Sequence, residues 1–182
     1  MRIHVPKAFA ILSVVALTSC TMFHRGPAAV ASATATLTDS AGRKVADAEL
    51  WQEASGVVHV EVESNALPPG AHGLHFHTVG NCASTTGAFS AAGGHFNPLN
   101  KMHGLGNPAG PHAGDNPNIT VGADGHGKTT FTTDRITLTA GPTSVFDADG
   151  SALVVHAAGD DQMTQPAGGS GGRIACGEVK RK

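Results

Sequence analysis

The chain has 182 residues, enough for one ordinary domain with a real core. With 40% apolar and 14% charged residues it is no highly charged disordered tail, and a formal charge of −2 argues against binding nucleic acid through phosphate contacts. Its 24 Gly, 10 Pro and single Trp suit short strands and many turns, and 11 His beside 3 Cys raise the question of a metal.

Residues 1–19 read as a lipoprotein signal peptide. Arg2 and Lys7 form a basic start, and the apolar run from Ala8 to Thr18 is too short to span a membrane. Leu17-Thr18-Ser19-Cys20 resembles a bacterial lipobox, in which Cys20 is acylated and becomes the first mature residue. A plain secretory signal cleaved nearby is the other reading. Both place the mature chain outside the cytoplasm, in the periplasm or cell envelope, where disulfides persist. Residues 20–32 are then a tether to the membrane, and residues 33–182 form one domain without internal repeats. With Cys20 carrying lipid, Cys82 and Cys176 remain as a pair, two free buried thiols being the alternative. A bridge closing a loop of about 100 residues contributes on the order of 4–5 kcal/mol on the chain-entropy argument.

Alternation of apolar and polar residues predicts strands at 33–38, 48–53, 57–63, 74–78, 119–123, 129–133, 153–156 and 173–179. Within 57–63, Val58, Val60 and Val62 take one face and His59, Glu61 and Glu63 the other. Turn chemistry punctuates the strands at Asp39–Gly42, Pro68-Pro69-Gly70, Asp124-Gly125 and Asp147–Gly150. Short strands with frequent turns predict an all-β, antiparallel sandwich or barrel. Two stretches do not read as strands: 80–118, rich in Gly, Pro, Asn and His, and 157–172, which ends Gly168-Gly169-Ser170-Gly171-Gly172. Loops of that length in a compact domain are usually functional.

The histidines are not scattered. His75-Phe76-His77 lies in a predicted strand, where side chains at i and i+2 share a face and can reach one ion. His95, His103, His112 and Asp115 follow in the first long loop, and His156 ends the 153–156 strand. The set contains no thiolate, which excludes iron–sulfur clusters and cysteine-type zinc sites, whereas imidazole suits Cu(II) and Zn(II). Six His and one Asp exceed what one ion takes, so two adjacent metals are expected, with one His able to serve both as an imidazolate. His59 and His126 read as an outward strand position and a turn. His4 and His24 belong to the leader and the tether.

At these residues the sequence resembles the copper–zinc superoxide dismutase family, in its exported lipoprotein form. The matching segments are Gly73-Leu74-His75-Phe76-His77, Gly94-His95-Phe96-Asn97-Pro98, His112-Ala113-Gly114-Asp115, Leu153-Val154-Val155-His156 and Gly172-Arg173-Ile174-Ala175-Cys176-Gly177. The resemblance implies an eight-stranded antiparallel Greek-key β-barrel or sandwich with two long functional loops. It implies one copper ion held by His75, His77, His95 and His156, and one zinc ion held by His95, His103, His112 and Asp115, with His95 shared. Asp160 falls where the family links ligands of both metals, and His72 resembles a structural His beside the copper strand. Cys82 and Cys176 match the family's disulfide. Arg173 matches the arginine that attracts the anionic substrate.

The implied activity is dismutation of superoxide to dioxygen and hydrogen peroxide by a copper that is alternately reduced and reoxidised. His95 would carry a proton in the second half-reaction. Residues 157–172 hold no Lys, so attraction of the anion is expected to rest chiefly on Arg173, with Lys101 and Lys128 as the other cations within reach. The family uses more than one subunit arrangement, which leaves a homodimer open.

Three other readings compete. An extracellular metal store would keep the ligands but need no Arg173. A zinc hydrolase would need a free carboxylate as general base, and Asp115 and Asp160 are both taken. A structural sandwich leaves the clustered ligands unexplained. Asn118-Ile119-Thr120 is a formal glycosylation sequon of little weight behind a bacterial lipobox, and Lys180-Arg181-Lys182 reads as a frayed, solvated end.

Overall fold

A computed structural model describes Met1, residues 28–86 and residues 88–182. The predicted signal peptide, Cys20 and most of the tether lie outside the described residues. Among those described there are ten strands. They are β1 (Ala29–Thr38), β2 (Lys44–Glu53), β3 (Val58–Ser64), β4 (Gly70–His72), β5 (Leu74–His77), β6 (Ile119–Val121), β7 (Gly127–Thr133), β8 (Ala152–His156), β9 (Arg173–Glu178) and β10 (Lys180–Arg181). Every pairing between them is antiparallel, in the order β4-β6-β7-β3-β2-β1-β9-β8-β5, with β10 beside β1.

The two ends of that path, β4 and β5, are separated by Gly73 alone. One chain segment therefore belongs to both edges, and the sheet wraps into a nearly closed barrel with little exposed edge. Gly73 is required at the crossing: a Cβ there would lie 2.9 Å from the Ser170 Cβ and 3.2 Å from His75 Cε1. Counting β4 with β5 and β9 with β10 as interrupted single strands gives the expected eight.

The eight predicted strands correspond to β1, β2, β3, β5, β6, β7, β8 and β9. β1 begins earlier than its pattern suggests, at Ala29, and pairs there with Glu53. β4 hides behind the Pro68-Pro69-Gly70 turn signal. The carboxyl end is not frayed: Ala33 and Thr34 pair with Arg181 and Lys180, Arg181 Nη1 donates to the Leu138 carbonyl at 2.9 Å, and its guanidinium lies 4.0 Å over the Phe146 ring. The apolar stem and the cation–π contact hold a terminus whose charge alone suggested solvent.

Alternation builds the core. Val58, Val60 and Val62 are fully buried beside Leu37, Leu50, Leu74, Phe76 and Leu153. β8 breaks the alternation because both its faces are covered. Leu153 and Val155 point into the barrel, while Ala152 and Val154 pack with Phe89, Ala92 and Cys176 in a smaller cluster outside it. That outer cluster sits under the loop after β5, which the Cys82–Cys176 disulfide ties to β9 across a Cα–Cα distance of 5.7 Å. The pairing of these two cysteines is thus as expected. The loop after β5 and the 157–172 loop cover one side of the barrel, and both supply the site.

Candidate metal centre

β5 and β8 are neighbours with His75 opposite Val154 and Leu74 opposite Val155, which brings His75, His77 and His156 to one end of the sheet. The loop after β5 folds back so that His95 bridges His77 and Asp115 bridges His75 in isolated antiparallel contacts. Four main-chain bonds fix that fold-back: Thr78 N to Gly94 O, Phe96 N to Phe76 O, Phe76 N to Gly114 O, and Gly114 N to Phe96 O, all between 2.8 and 3.0 Å.

The result is two groups of ligand atoms. One nitrogen each from His75, His77, His95 and His156 lie within 4.8 Å of one another, and so do ligand atoms of His75, His95, His103 and Asp115. His95 is the hub. Its ring centroid lies 3.9 Å from His75, 5.1 Å from His77, 5.2 Å from His103, 5.5 Å from His112 and 6.0 Å from His156.

Hydrogen bonds on the far side of each ring show which nitrogen is bare. His77 Nδ1 and His156 Nδ1 each lie 3.0 Å from a carbonyl, of Gly93 and Gly171. A carbonyl only accepts, so these nitrogens carry the protons and the Nε2 atoms do not. The two Nε2 atoms face each other at 3.4 Å. His75 Nε2 donates to Asp160 Oδ2 at 2.7 Å, which leaves His75 Nδ1 bare, buried and without a partner. His95 Nε2 is buried and unpartnered in the same way. Lone pairs aimed at one another are unfavourable unless a cation lies between them.

The second group shows the same signature. His95 Nδ1 and His103 Nδ1 lie 3.0 Å from Asp115 Oδ1, and His112 Nδ1 lies 3.2 Å from it without a hydrogen bond. His103 Nε2 is already on Asp160 Oδ1 at 3.1 Å. A neutral imidazole has one proton, so it cannot donate to both carboxylates. His75 also falls near this group, but its Nε2 is committed to Asp160, and the orphaned His112 Nδ1 fits better. The other Asp115 oxygen, Oδ2, accepts the Gly104 and His112 backbone N–H groups at 2.8 and 3.0 Å, which aims Oδ1 at the three rings.

Electrostatics prepare the ligands. Burial, with the neighbouring imidazole charges, holds His75 and His156 down to about 4 and His77 lower still, so all three are neutral and able to donate lone pairs at neutral pH. Burial alone would raise Asp115. The bonds from His95 and the Gly104 N–H outweigh it and keep the carboxyl well below its usual range. Asp160 is lowered likewise: burial opposes, but the bonds from His75, the Gln162 N–H and His103 prevail.

The groups differ in access. His103 and Asp115 are fully buried. His77, His95 and His156, together with the edge of His112, line a cavity of about 370 Å³ walled by Asn97, Ala167 and Arg173. Arg173 Nη1 donates to the Phe89 carbonyl at 2.6 Å and Nη2 donates to that of Gly93, which also accepts from His77. The guanidinium is therefore moored beside the first group by the disulfide-tied loop.

The profile of copper/zinc superoxide dismutases matches residues 44–179. The chain belongs to the copper/zinc superoxide dismutase family. It is 44% identical over 148 residues to the protein named superoxide dismutase [Cu-Zn] 1 of Aquifex aeolicus, a match covering 80% of this chain and 86% of that one. It is 41% identical over 145 residues to the superoxide dismutase-like protein YojM of Bacillus subtilis, covering 79% and 73%. The crystal structure of a SOD-like protein from Bacillus subtilis superposes with a TM-score of 0.72 at 37% identity, covering 79% of this chain and 95% of that chain.

Within the superoxide dismutase fold, every predicted ligand is drawn into the centre. Asp160 joins the two groups through His75 and His103. His72 is buried with its ring nitrogens 2.8 Å from the carbonyls of His156 and Pro68. His59 stacks on Trp51 with ring centroids 4.9 Å apart and bonds Glu53, while His126 is exposed in a turn, so neither takes part. Lys128 is held by Glu61 and Glu63 at 2.8 and 2.7 Å and does not line the cavity. Lys101 sits on the turn that Asn97 clamps through its side chain.

Supporting residues escaped the sequence reading. Asn118, noticed only as a sequon, spends both its side-chain atoms on the main chain of Asp160 at 2.9 Å. Gln165 clasps the main chain of His103 from both sides, at 2.9 and 3.0 Å. Each acts on a backbone atom of a distant residue, a contact without a spacing signature.

Proposed function

We propose that the protein is a copper–zinc superoxide dismutase, with copper at His75, His77, His95 and His156 and zinc at His95, His103, His112 and Asp115. The observation that carries this reading is the asymmetry of two groups sharing His95. Three of the four ligands of one open on a cavity beside a fixed guanidinium. The other keeps His103 and Asp115 fully buried and shows the cavity only His95 and the edge of His112, and it is called sealed in that sense. A catalytic metal keeps an accessible position, whereas a structural one is closed. Copper supplies the one-electron exchange by which one superoxide is oxidised to dioxygen and another reduced to hydrogen peroxide, and zinc supplies a fixed dication without redox chemistry.

The chain's own residues do the rest. Arg173 keeps its charge throughout the useful pH range and draws the anion to the cavity. His95 Nε2 faces the open group, and this atom is placed to hold and release a proton for the reduced product. His77 and His156 are kept in one tautomer by the Gly93 and Gly171 carbonyls. Asp160 orients one ring of each group, a role that typically raises ligand basicity.

A metal-binding protein without turnover is the second reading, favoured by the relative named only superoxide dismutase-like. The complete ligand set and Arg173 at the cavity support the enzyme. The test is metal analysis of purified protein with superoxide decay measured before copper removal, after it, and after reloading. Decay should fall to background without copper and return with it; equal decay without copper refutes the chemistry.

Export and acylation of Cys20 belong to the same proposal. The Cys82–Cys176 disulfide supports export, because such bonds persist in oxidising compartments, and the acylation rests on the Leu17-Thr18-Ser19-Cys20 motif. Mass spectrometry of the protein from its native envelope should find a lipidated Cys20 as the first residue; an unmodified amino terminus elsewhere contradicts the anchor.

A further inference from the structure

One cation near the sealed group has no part in the account so far. Arg135 follows β7 by two residues, and its backbone N–H donates to Thr133 Oγ1 at 3.1 Å. Its side chain is half-buried, and Nη2 donates to the backbone carbonyl of Asp115 at 2.7 Å. Arg135 Nε is buried without a partner. A guanidinium taken partly out of water for one neutral acceptor is unfavourable by itself. The compensation at hand comes from two carboxylates, that of the neighbouring Asp134 and that of Asp115, on whose main chain the guanidinium sits.

We propose that Arg135 is a positioning residue for the sealed metal group: it fixes the Asp115 main chain from behind, so that Oδ1 points at His95, His103 and His112 whether or not a metal is bound. The inference rests on the zinc reading above. The aim of the Asp115 carboxylate is set from two sides. Oδ2 is held by the Gly104 and His112 N–H groups, and the backbone by the bridge to His75 and by Arg135. Of these holds, only Arg135 comes from an element that supplies no ligand. It is also charged, and a charge-assisted bond is about twice as strong as a neutral one. It thereby ties the position of Asp115 to the end of β7. Repulsion between Arg135 and an incoming dication opposes binding, so the sign of its net effect is a real test.

The experiment uses the whole mature protein, unchanged and with Arg135→Met or Arg135→Lys. Zn(II) affinity is measured by chelator competition, the visible absorption of Co(II) reports the geometry of the sealed group, and copper affinity and the melting temperature of the metal-free protein serve as controls. Loss of a partner outside the ligand set typically costs about 10–100-fold in metal affinity. Arg135→Met should therefore weaken zinc binding by about that factor and alter the Co(II) bands while copper affinity holds. Arg135→Lys should restore most of both, because an ammonium can donate to the same carbonyl. Zinc binding that is unchanged or tighter in Arg135→Met overturns the proposal, as does equal loss of copper and zinc with a collapsed melting temperature. If Arg135→Met does not fold, Arg135→Lys and Arg135→Gln carry the comparison, the first expected near the unchanged protein and the second weaker. If the unchanged protein binds no zinc through the sealed group, the zinc reading itself falls, and this inference with it.

Discussion

Asp160 shows how one side chain can govern two metal groups. It takes the outer nitrogens of His75 and His103 on separate oxygens and is itself clamped by Asn118 and by the Gln162 N–H at 2.6 Å. Asp160→Ala frees both rings to rotate, so affinity for copper and zinc should each fall about 10–100-fold in chelator competition; a loss confined to one metal would contradict the shared role. The buried imidazoles also set a pH dependence. In the folded chain His75 and His156 take a proton only near 4, whereas in the unfolded chain they do so near 6.5. The unfolded state therefore binds more protons between these values, and the metal-free protein loses stability as pH falls from about 6.5 towards 4, by about 1.4 kcal/mol per pH unit for each such group. The melting temperature of metal-free protein should drop between about pH 7 and pH 4.5; a flat profile would contradict it. The ligands were legible because His75 and His77 have strand spacing, His156 ends a predicted strand, and His95, His103, His112 and Asp115 cluster in a loop with few other constraints. Asp160 was visible only through the family resemblance, and Asn118, Gln165 and Arg135 not at all, since each meets a backbone atom brought near by the fold.

At the scale of elements, the 157–172 loop must press close to Asp160, and Gly168 makes the approach. Its φ is +61°, and a Cβ there would lie 1.6 Å from Asp160 Oδ1 and 3.0 Å from His103 Nε2. Gly168→Ala should displace Asp160 and weaken both metals much as Asp160→Ala does; full metal affinity in Gly168→Ala would show that the loop yields. The disulfide is the other fastening. Cys82 and Cys176 are 94 residues apart, so replacing both by Ser removes on the order of 4–5 kcal/mol on the loop-closure argument, less any native strain. Denaturant unfolding measures this, and a loss below about 1 kcal/mol would contradict it. The long strands were readable because one face of each is wet. β4 and β10 were not: with three and two residues they are too short for a period, and their sequences read as a turn and a charged tail.

The whole molecule divides into an acidic barrel wall and a cationic pocket. Asp47, Glu49, Glu61 and Glu63 line a groove on β2 and β3 and meet Lys44, Lys128 and Lys182, whereas the metal cavity carries Arg173. Arg173→Ala removes a fixed charge from the cavity wall, an effect of about 1–2 kcal/mol at intermediate dielectric, or five- to thirtyfold in rate. Superoxide decay should slow by that factor and lose most of its dependence on ionic strength; an unchanged rate and salt slope would remove Arg173 from the steering role. The barrel, its two long loops and the side on which they lie all serve to hold His95 between two sets of nitrogens. Anomalous diffraction from crystals of the copper- and zinc-loaded protein, at the absorption edges of both metals, tests that claim most directly. Copper should lie among His75 Nδ1, His77 Nε2, His95 Nε2 and His156 Nε2, and zinc among the Nδ1 atoms of His95, His103 and His112 with Asp115 Oδ1. A single metal peak, or two peaks that do not both touch the His95 ring, would contradict it.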